Sequence, residues 1–191
     1  MLNASFFIFT HSSDKTNSKN VSMKILAISG SASEKSSNYY FLKAIQTLFK
    51  DRFEMTIYDS LSEFPLFTPQ RLKEGIPEIV QDFKEQLLQA DAVVISTPEY
   101  THNIPAVFKN MIEWCTHSGE FTDKKVLPIT FTPFEPRGEN AMKSLLFSLS
   151  ALDAKPIVQL PVYKTDVTIG DEVILLSDDL KELIESAFEL F

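Results

Sequence analysis

Three observations predict an α/β fold with a doubly wound, five-stranded parallel sheet and helices on both faces. Short apolar runs alternate with segments of helical spacing along most of the chain. The runs Ile25-Leu26-Ala27-Ile28 and Ala92-Val93-Val94-Ile95 are apolar at every position, as strands are when both faces are covered. Each of these runs ends in a loop that opens directly into a helical pattern. Alternation of this kind implies right-handed crossovers, which leave few topologies. Five strands favour the order 2-1-3-4-5, with a ligand crevice outside the carboxyl ends of strands one and three.

The elements follow in order. The first strand, Ile25 to Ile28, stops at Gly30. Phe41, Leu42, Ile45, Leu48 and Phe49 recur at helical spacing and predict a helix from about Asn38. Met55 and Ile57 alternate with polar neighbours, which suits a second strand nearer a sheet edge. A proline-rich loop runs from Asp59 to Ile76, and Pro77 suits the first turn of a helix continued by Ile79, Val80, Phe83, Leu87 and Ala90. After the third strand, Pro105 opens a helix with Val107, Phe108, Met111, Ile112 and Cys115 on one face. Val126 to Phe131 has strand character, although Pro128 argues against a central place in the sheet. Ala141, Met142, Leu145, Leu146, Leu149 and Leu152 form a helical stripe, Ile157 to Leu160 a last short strand, and Leu180 to Phe188 a C-terminal helix.

Composition narrows the function. A chain of 191 residues with 44% apolar residues is long enough to bury a core as one domain. The net charge of −8 and the lack of a basic stripe argue against nucleic acid as a partner. No apolar run approaches the roughly 18 residues of a membrane span. The single cysteine, Cys115, excludes an internal disulfide and fits a cytoplasmic setting. It falls on the apolar stripe of its helix, and His11, His102 and His117 have no metal-ligand spacing with it, so no metal site is expected. Residues 1–22 are expected to be an extension outside the core, with Met23 an alternative start and 23–191 a single domain.

Two loops carry the chemistry. The first strand ends in Ser29-Gly30-Ser31-Ala32-Ser33-Glu34-Lys35-Ser36-Ser37-Asn38, and a helix begins at once. Free N–H groups, the positive end of the helix dipole and serine hydroxyls meet there, and Gly30 permits a tight turn. Such a loop can wrap a phosphate, while Ser36, Ser37 or Asn38 could also do no more than cap the helix. Neither G-x-x-x-x-G-K-S/T nor G-x-G-x-x-G is present, so a mononucleotide suits the site better than a hydrolysed triphosphate or a dinucleotide. The third strand ends in Ser96-Thr97-Pro98-Glu99-Tyr100-Thr101-His102-Asn103-Ile104-Pro105. This loop can offer backbone donors to the edge of a flat heterocycle and a side chain to its face.

Together these loops resemble those of the NADPH-dependent FMN reductase family, which includes quinone, azo-dye and chromate reductases. The family's first loop is similar to G-S-x-R-x-x-S-x-N; Gly30, Ser31, Ser36 and Asn38 match it, and Ser33 stands where arginine is frequent. The second motif is similar to P-E-Y-N-x-S-x-P, followed by K-N and a tryptophan. It is matched without gaps from Pro98 to Trp114, with Thr101 and Asn103 as departures. The resemblance implies a flavodoxin-like fold, FMN as cofactor, and ping-pong hydride transfer from NADPH or NADH to FMN and on to a quinone, flavin or similar small acceptor. It implies FMN contacts from Ser29, Ser31, Ser33, Ser36, Ser37 and Asn38 on the phosphate side. Pro98, Glu99, Tyr100, Thr101, His102 and Asn103 belong to the ring side, with no side-chain nucleophile. It also implies a homodimer or homotetramer, with the helix from Pro105 to Thr116 as the contact. A third loop, Thr132 to Asn140, follows the fourth strand, and its Arg137 is open to three readings: a flavin contact, a nicotinamide-phosphate contact, or a plain surface residue. A non-enzymatic flavodoxin-like electron carrier is the alternative function, although the T-x-T-G-x-T loop usual in flavodoxins is absent.

Overall fold

A computed structural model describes residues 22–191, so the expected extension lies outside the described residues apart from Ser22. Strands β1 (Met23–Ser29), β2 (Phe53–Tyr58), β3 (Ala92–Thr97) and β4 (Lys125–Thr132) run parallel in the order β2-β1-β3-β4. Beyond β4 lie two short pieces, β5 (Lys155–Pro156) and β6 (Leu160–Tyr163), both paired to β4 in parallel. The order 2-1-3-4-5 is therefore the one observed, with the fifth strand divided.

The division corrects the expected strand at Ile157 to Leu160, and Pro128 explains it. Lys125 pairs with Lys155 and Val126 with Pro156, but Ile129 pairs with Leu160, so the outer strand has gained one residue. The Ile157 N–H donates to the Val126 carbonyl (2.9 Å), which shows that even-numbered residues of β4 point outward. Pro128 thus turns its nitrogen, which has no hydrogen, toward the outer strand. The ladder breaks there and resumes one residue later as a bulge. Toward β3, where Pro128 sits beside Ile95, pairing continues unbroken.

Among the described residues there are six helices, α1 (Ser37–Leu48), α2 (Pro69–Glu74), α3 (Glu78–Gln89), α4 (Ala106–Cys115), α5 (Glu139–Ala151) and α6 (Asp178–Phe188), and all but α2, which buries no residue, pack on the sheet. Strand residues alternate between two cores. Leu26, Ile28, Val93 and Ile95 meet α3, α4 and α5 through Phe83, Phe108 and Leu145. Ile25, Ala27, Val94 and Ile129 meet α1 and α6 through Phe41, Ile45 and Ile184. Both faces are dry, which is why the central strands carry no polar alternation.

Two further pieces were not expected. The proline-rich loop folds into a short 3-10 turn at Leu61–Glu63 and into α2, where Thr68 caps the helix and Pro69 opens it. It is tied to α4, since Trp114 Nε1 and Asn110 Nδ2 donate to the Pro65 carbonyl (2.8 and 3.2 Å). Trp114 is buried and is a packing residue. A hairpin, β7 (Val167–Gly170) and β8 (Val173–Leu176), stands between the last sheet strand and α6. Its Ile174 enters the core beside α1 and α6, whereas Ile169, Val173 and Leu175 stay exposed.

Candidate functional site

The crevice forms where β1 and β3 part company with their neighbours. The Gly30 N–H donates to the Ser96 carbonyl (2.8 Å), which clamps the start of the first loop to the end of β3. A Cβ at Gly30 would stand 2.9 Å from both Cβ and Oγ1 of Thr97, so only glycine allows this approach. The loop then turns into α1. Ser36 Oγ accepts from the Tyr39 N–H (3.3 Å) as the cap, and Ser31 Oγ accepts from the Ser33 N–H (3.2 Å). The Lys35 N–H, in left-handed backbone, donates to Asp59 Oδ2 (2.7 Å) and anchors the loop to the end of β2. Asn38 is buried and its Oδ1 accepts from Ser96 Oγ (2.8 Å), a second tie across the crevice floor.

These bonds leave donors to spare. Among the described residues, the N–H groups of Ser37 and Asn38 have no protein acceptor, as is usual at the start of a helix. The hydroxyls of Ser31 and Ser36 accept from the backbone and still carry a hydrogen of their own. Ser36 thus caps α1, lies 3.5 Å from Ser29 Oγ and also lines the crevice.

The second loop is a tight reverse turn. Tyr100 and Asn103 exchange backbone hydrogen bonds of 2.9 Å in both directions, and Thr101 and His102 between them take positive φ (48° and 58°). Its side chains are mostly committed to α5. Glu99 Oε2 accepts from the N–H groups of Asn140 and Ala141 (both 3.1 Å), so this buried carboxylate caps α5 from another loop. Asn103 Oδ1 accepts from Ser144 Oγ (2.6 Å). His102 is exposed, with Nδ1 3.2 Å from Asn140 Nδ2 and 3.5 Å from Glu99 Oε1.

The third loop leaves β4 and closes the far wall. Gly138 takes φ +104°, and a Cβ there would lie 2.8 Å from Thr130 Oγ1, so the loop is pressed onto β4 at this point. Thr132 Oγ1 donates to the Arg137 carbonyl (2.8 Å). The three loops enclose a cleft of about 420 Å³ lined by Ser31, Ser33, Ser36, Ser37 and Asn38 on one side, Pro98, Glu99 and Tyr100 beneath, and Phe131, Pro133, Arg137 and Lys164 opposite. Of the residues expected at the site, the cleft gathers these eight and leaves four aside. Ser29 is buried below it, His102 faces a groove between α4 and α5, and Thr101 and Asn103 line a shallow hollow beside α4. Phe131, Pro133 and Lys164 were not anticipated. Phe131 and Pro133 flank the carboxyl end of the fourth strand, where crevice residues belong; Lys164 was hidden by the displaced end of the fifth. Next to it, the Tyr163 hydroxyl is held above its ordinary pKa by burial and, to a lesser degree, by Glu135, Glu139 and Asp166.

The arrangement fits a flat mononucleotide. Hydroxyls and helix N–H groups converge on one end of the cleft, where a phosphate can sit, and proline and aromatic surfaces continue from it. The described residues contain no cluster of His, Cys, Asp or Glu suited to a metal ion.

Comparison with known proteins agrees. The family described as NADPH-dependent FMN reductase matches residues 23–165. A subunit of an NADH:(hydroxy)cinnamate reductase from Vibrio ruber is 37% identical over 106 residues, 55% of this chain and 52% of that protein. An NADH-dependent flavin reductase subunit from Lactobacillus johnsonii is 36% identical over 48% of each chain, so the chain spans about half the length of these first curated relatives. An NAD(P)H-dependent FMN reductase from Pseudomonas aeruginosa is 28% identical and aligns over 87% of this chain and 92% of its own. The solved structure of FerB, a flavoenzyme NAD(P)H:(acceptor) oxidoreductase from Paracoccus denitrificans, superposes with a TM-score of 0.75 at 21% identity, covering 88% of this chain and 96% of that one. A flavodoxin-type, WrbA-like protein from Agrobacterium tumefaciens shares the fold at a TM-score of 0.55 and 13% identity, over 89% and 99% of the two chains. With its match running from β1 past the end of β6, through all three loops of the cleft, this chain belongs to the NADPH-dependent FMN reductase family.

Proposed function

We propose that the chain is an NAD(P)H-dependent oxidoreductase that holds FMN in the three-loop cleft and delivers electrons to a quinone, free flavin or similar small acceptor. One observation carries the reading: in a chain of this family, a hydroxyl-rich loop at a helix N-terminus faces the Pro98–Tyr100 wall across a space of mononucleotide size. When bound, FMN supplies the hydride chemistry, taking electrons from the nicotinamide donor and releasing them to the acceptor. The chain's own residues bind and orient. The Ser37 and Asn38 amides and the hydroxyls of Ser31, Ser33, Ser36 and Ser37 hold the phosphate. Pro98, Glu99 and Tyr100 form the floor along the ring, with Glu99 acting through its grip on α5 and Tyr100, half-exposed, at the mouth. Ser29, Thr101, His102 and Asn103 support the loops from outside. Donor and acceptor take turns at this one cleft.

Residues 23–191 would act as one FMN-binding unit. Among the described residues, no helix is long and apolar enough to cross a membrane. We place the protein in the cytoplasm on its single buried thiol, and we pair it with a second copy across the groove between α4 and α5, where Phe147 is 80% exposed beside Ile112.

The test is an anaerobic absorbance spectrum of purified protein with added FMN. The expected result is a bound flavin that bleaches on addition of NADPH or NADH and recovers with benzoquinone. Flavin that binds but bleaches with neither donor would point to an electron carrier. Protein that leaves FMN free in solution would end the flavin reading altogether.

A further inference from the structure

Two cations stand on the cleft wall opposite the serine loop, and the flavin reading leaves them without a task. Arg137 and Lys164 both line the cleft, and among the described residues neither has a carboxylate within 4.0 Å. The backbone at Arg137 is fixed. Its N–H donates to the Phe134 carbonyl (3.0 Å), its carbonyl accepts from Thr132 Oγ1 (2.8 Å), and Gly138 fixes the next residue against β4. The guanidinium is propped over the ring of Phe134, 5.5 Å from its centroid.

These cations are poorly placed for the phosphate already accounted for. Adjacent strands lie about 4.8 Å apart, so the ends of β4 and β6 stand roughly 10 and 14 Å across the sheet from the end of β1. The serine loop, moreover, has its own donors for one phosphate. A cleft of about 420 Å³ has room for one mononucleotide. A dinucleotide donor can then insert only its nicotinamide end, and its phosphates must rest at the mouth, where Arg137 is exposed. A protein of net charge −8 repels such a polyanion unless cations are fixed at the point of approach.

We propose that Arg137 and Lys164 form an anion-reading rim for the nicotinamide donor, with the planar fork of Arg137 taking the 2′-phosphate and so favouring NADPH over NADH. This rests on the flavin-reductase reading. Arg137→Gln and Lys164→Gln, made in the full chain and loaded with FMN, test it. The ratio of kcat/KM for NADPH to that for NADH should fall about tenfold in Arg137→Gln, mainly through KM for NADPH, and less in Lys164→Gln. Calorimetry supplies a readout free of turnover. Adenosine 2′,5′-bisphosphate should bind the parent protein about tenfold more tightly than AMP, and Arg137→Gln should erase the difference. Arg137→Lys, which keeps the charge without the fork, should recover part of it. Affinities for FMN and riboflavin are measured alongside. An unchanged donor ratio in Arg137→Gln overturns the proposal. So does a loss of affinity for FMN but not riboflavin, which would assign the cations to the flavin phosphate. Failure of the parent protein to bind FMN would refute the flavin reading instead.

Discussion

Thr101 is a branched residue held where branched residues are rarely found. Positive φ at both central positions of the Tyr100–Asn103 turn suits glycine or asparagine, and Thr101 meets it at φ 48°. Thr101→Asn should raise stability by about 0.5–1 kcal/mol, visible as a higher denaturation midpoint at unchanged m-value. A lower midpoint would mean that the Thr101 side chain does more than tolerate the turn. Cys115 illustrates the opposite case, a reactive group made inert. Burial pushes its thiol up to about 12, with a smaller opposing pull from Lys84. An unfolded thiol ionises near a pKa of about 8.5, so stability should decline as pH rises from there toward 12, because only the unfolded chain loses the proton. At pH 8 a thiol reagent should label the native protein far more slowly than the denatured one. At this scale the sequence was informative about where a glycine is needed, though not about why: Gly30 was expected to permit a tight turn and is required because a Cβ there would strike Thr97. It was uninformative about Glu99, whose partners, the amides of Asn140 and Ala141, lie 41 and 42 residues away.

That carboxylate joins two elements. Glu99 takes over the capping of α5 from Gly138, which has no side chain to do it. Glu99→Gln keeps the shape and removes the charge, and should cost about 1–2 kcal/mol in chemical denaturation, since a charge-assisted pair at a helix start is lost. A change below a few tenths would show that the cap is dispensable. The elements that sequence periodicity revealed are those buried on one regular face, such as α1, α3 and α6. Those it missed lack such a face. The β7–β8 hairpin points Ile169, Val173 and Leu175 outward, so apolar residues on both sides conceal its alternation. Pro128, a residue type that argues against a central strand, is tolerated there because its nitrogen faces a gap in the neighbouring strand.

Across the whole molecule, α3 is fastened to the loop after α4 by a buried ion pair, Lys84 Nζ to Glu120 Oε1 at 3.0 Å, with Ser118 hydrogen-bonded to both. Removing one partner leaves a charge without water or counter-charge. Glu120→Ala should therefore cost about 3–5 kcal/mol, while the double change Lys84→Met with Glu120→Gln should recover much of the loss. Equal destabilisation by both would argue that packing, not charge, decides the site. Phe147 bears on assembly. If a second copy covers the α4–α5 groove, Phe147→Glu should shift the sedimenting species toward monomer with the melting temperature of the single chain retained, and an unaltered mass would place the contact elsewhere. Fold order and the position of the crevice were legible in the sequence because they follow from alternation alone. Lys164 was not, because its place depends on pairing between strands that no local pattern encodes.

The extra residue opposite Pro128 acts as an offset in a zipper. Below it the outer strand runs 30 positions ahead of β4, and above it 31. Side chains along a strand change sides at every step, so this single count decides which residues beyond Leu160 turn toward the cleft. Had the teeth meshed without a skip, Lys164 would lie one notch along and Tyr163 would inherit the opposite orientation. The point at which the outer strand gives way to the turn that begins with Lys164 is thus shifted by a missing backbone hydrogen several residues lower on the neighbouring strand.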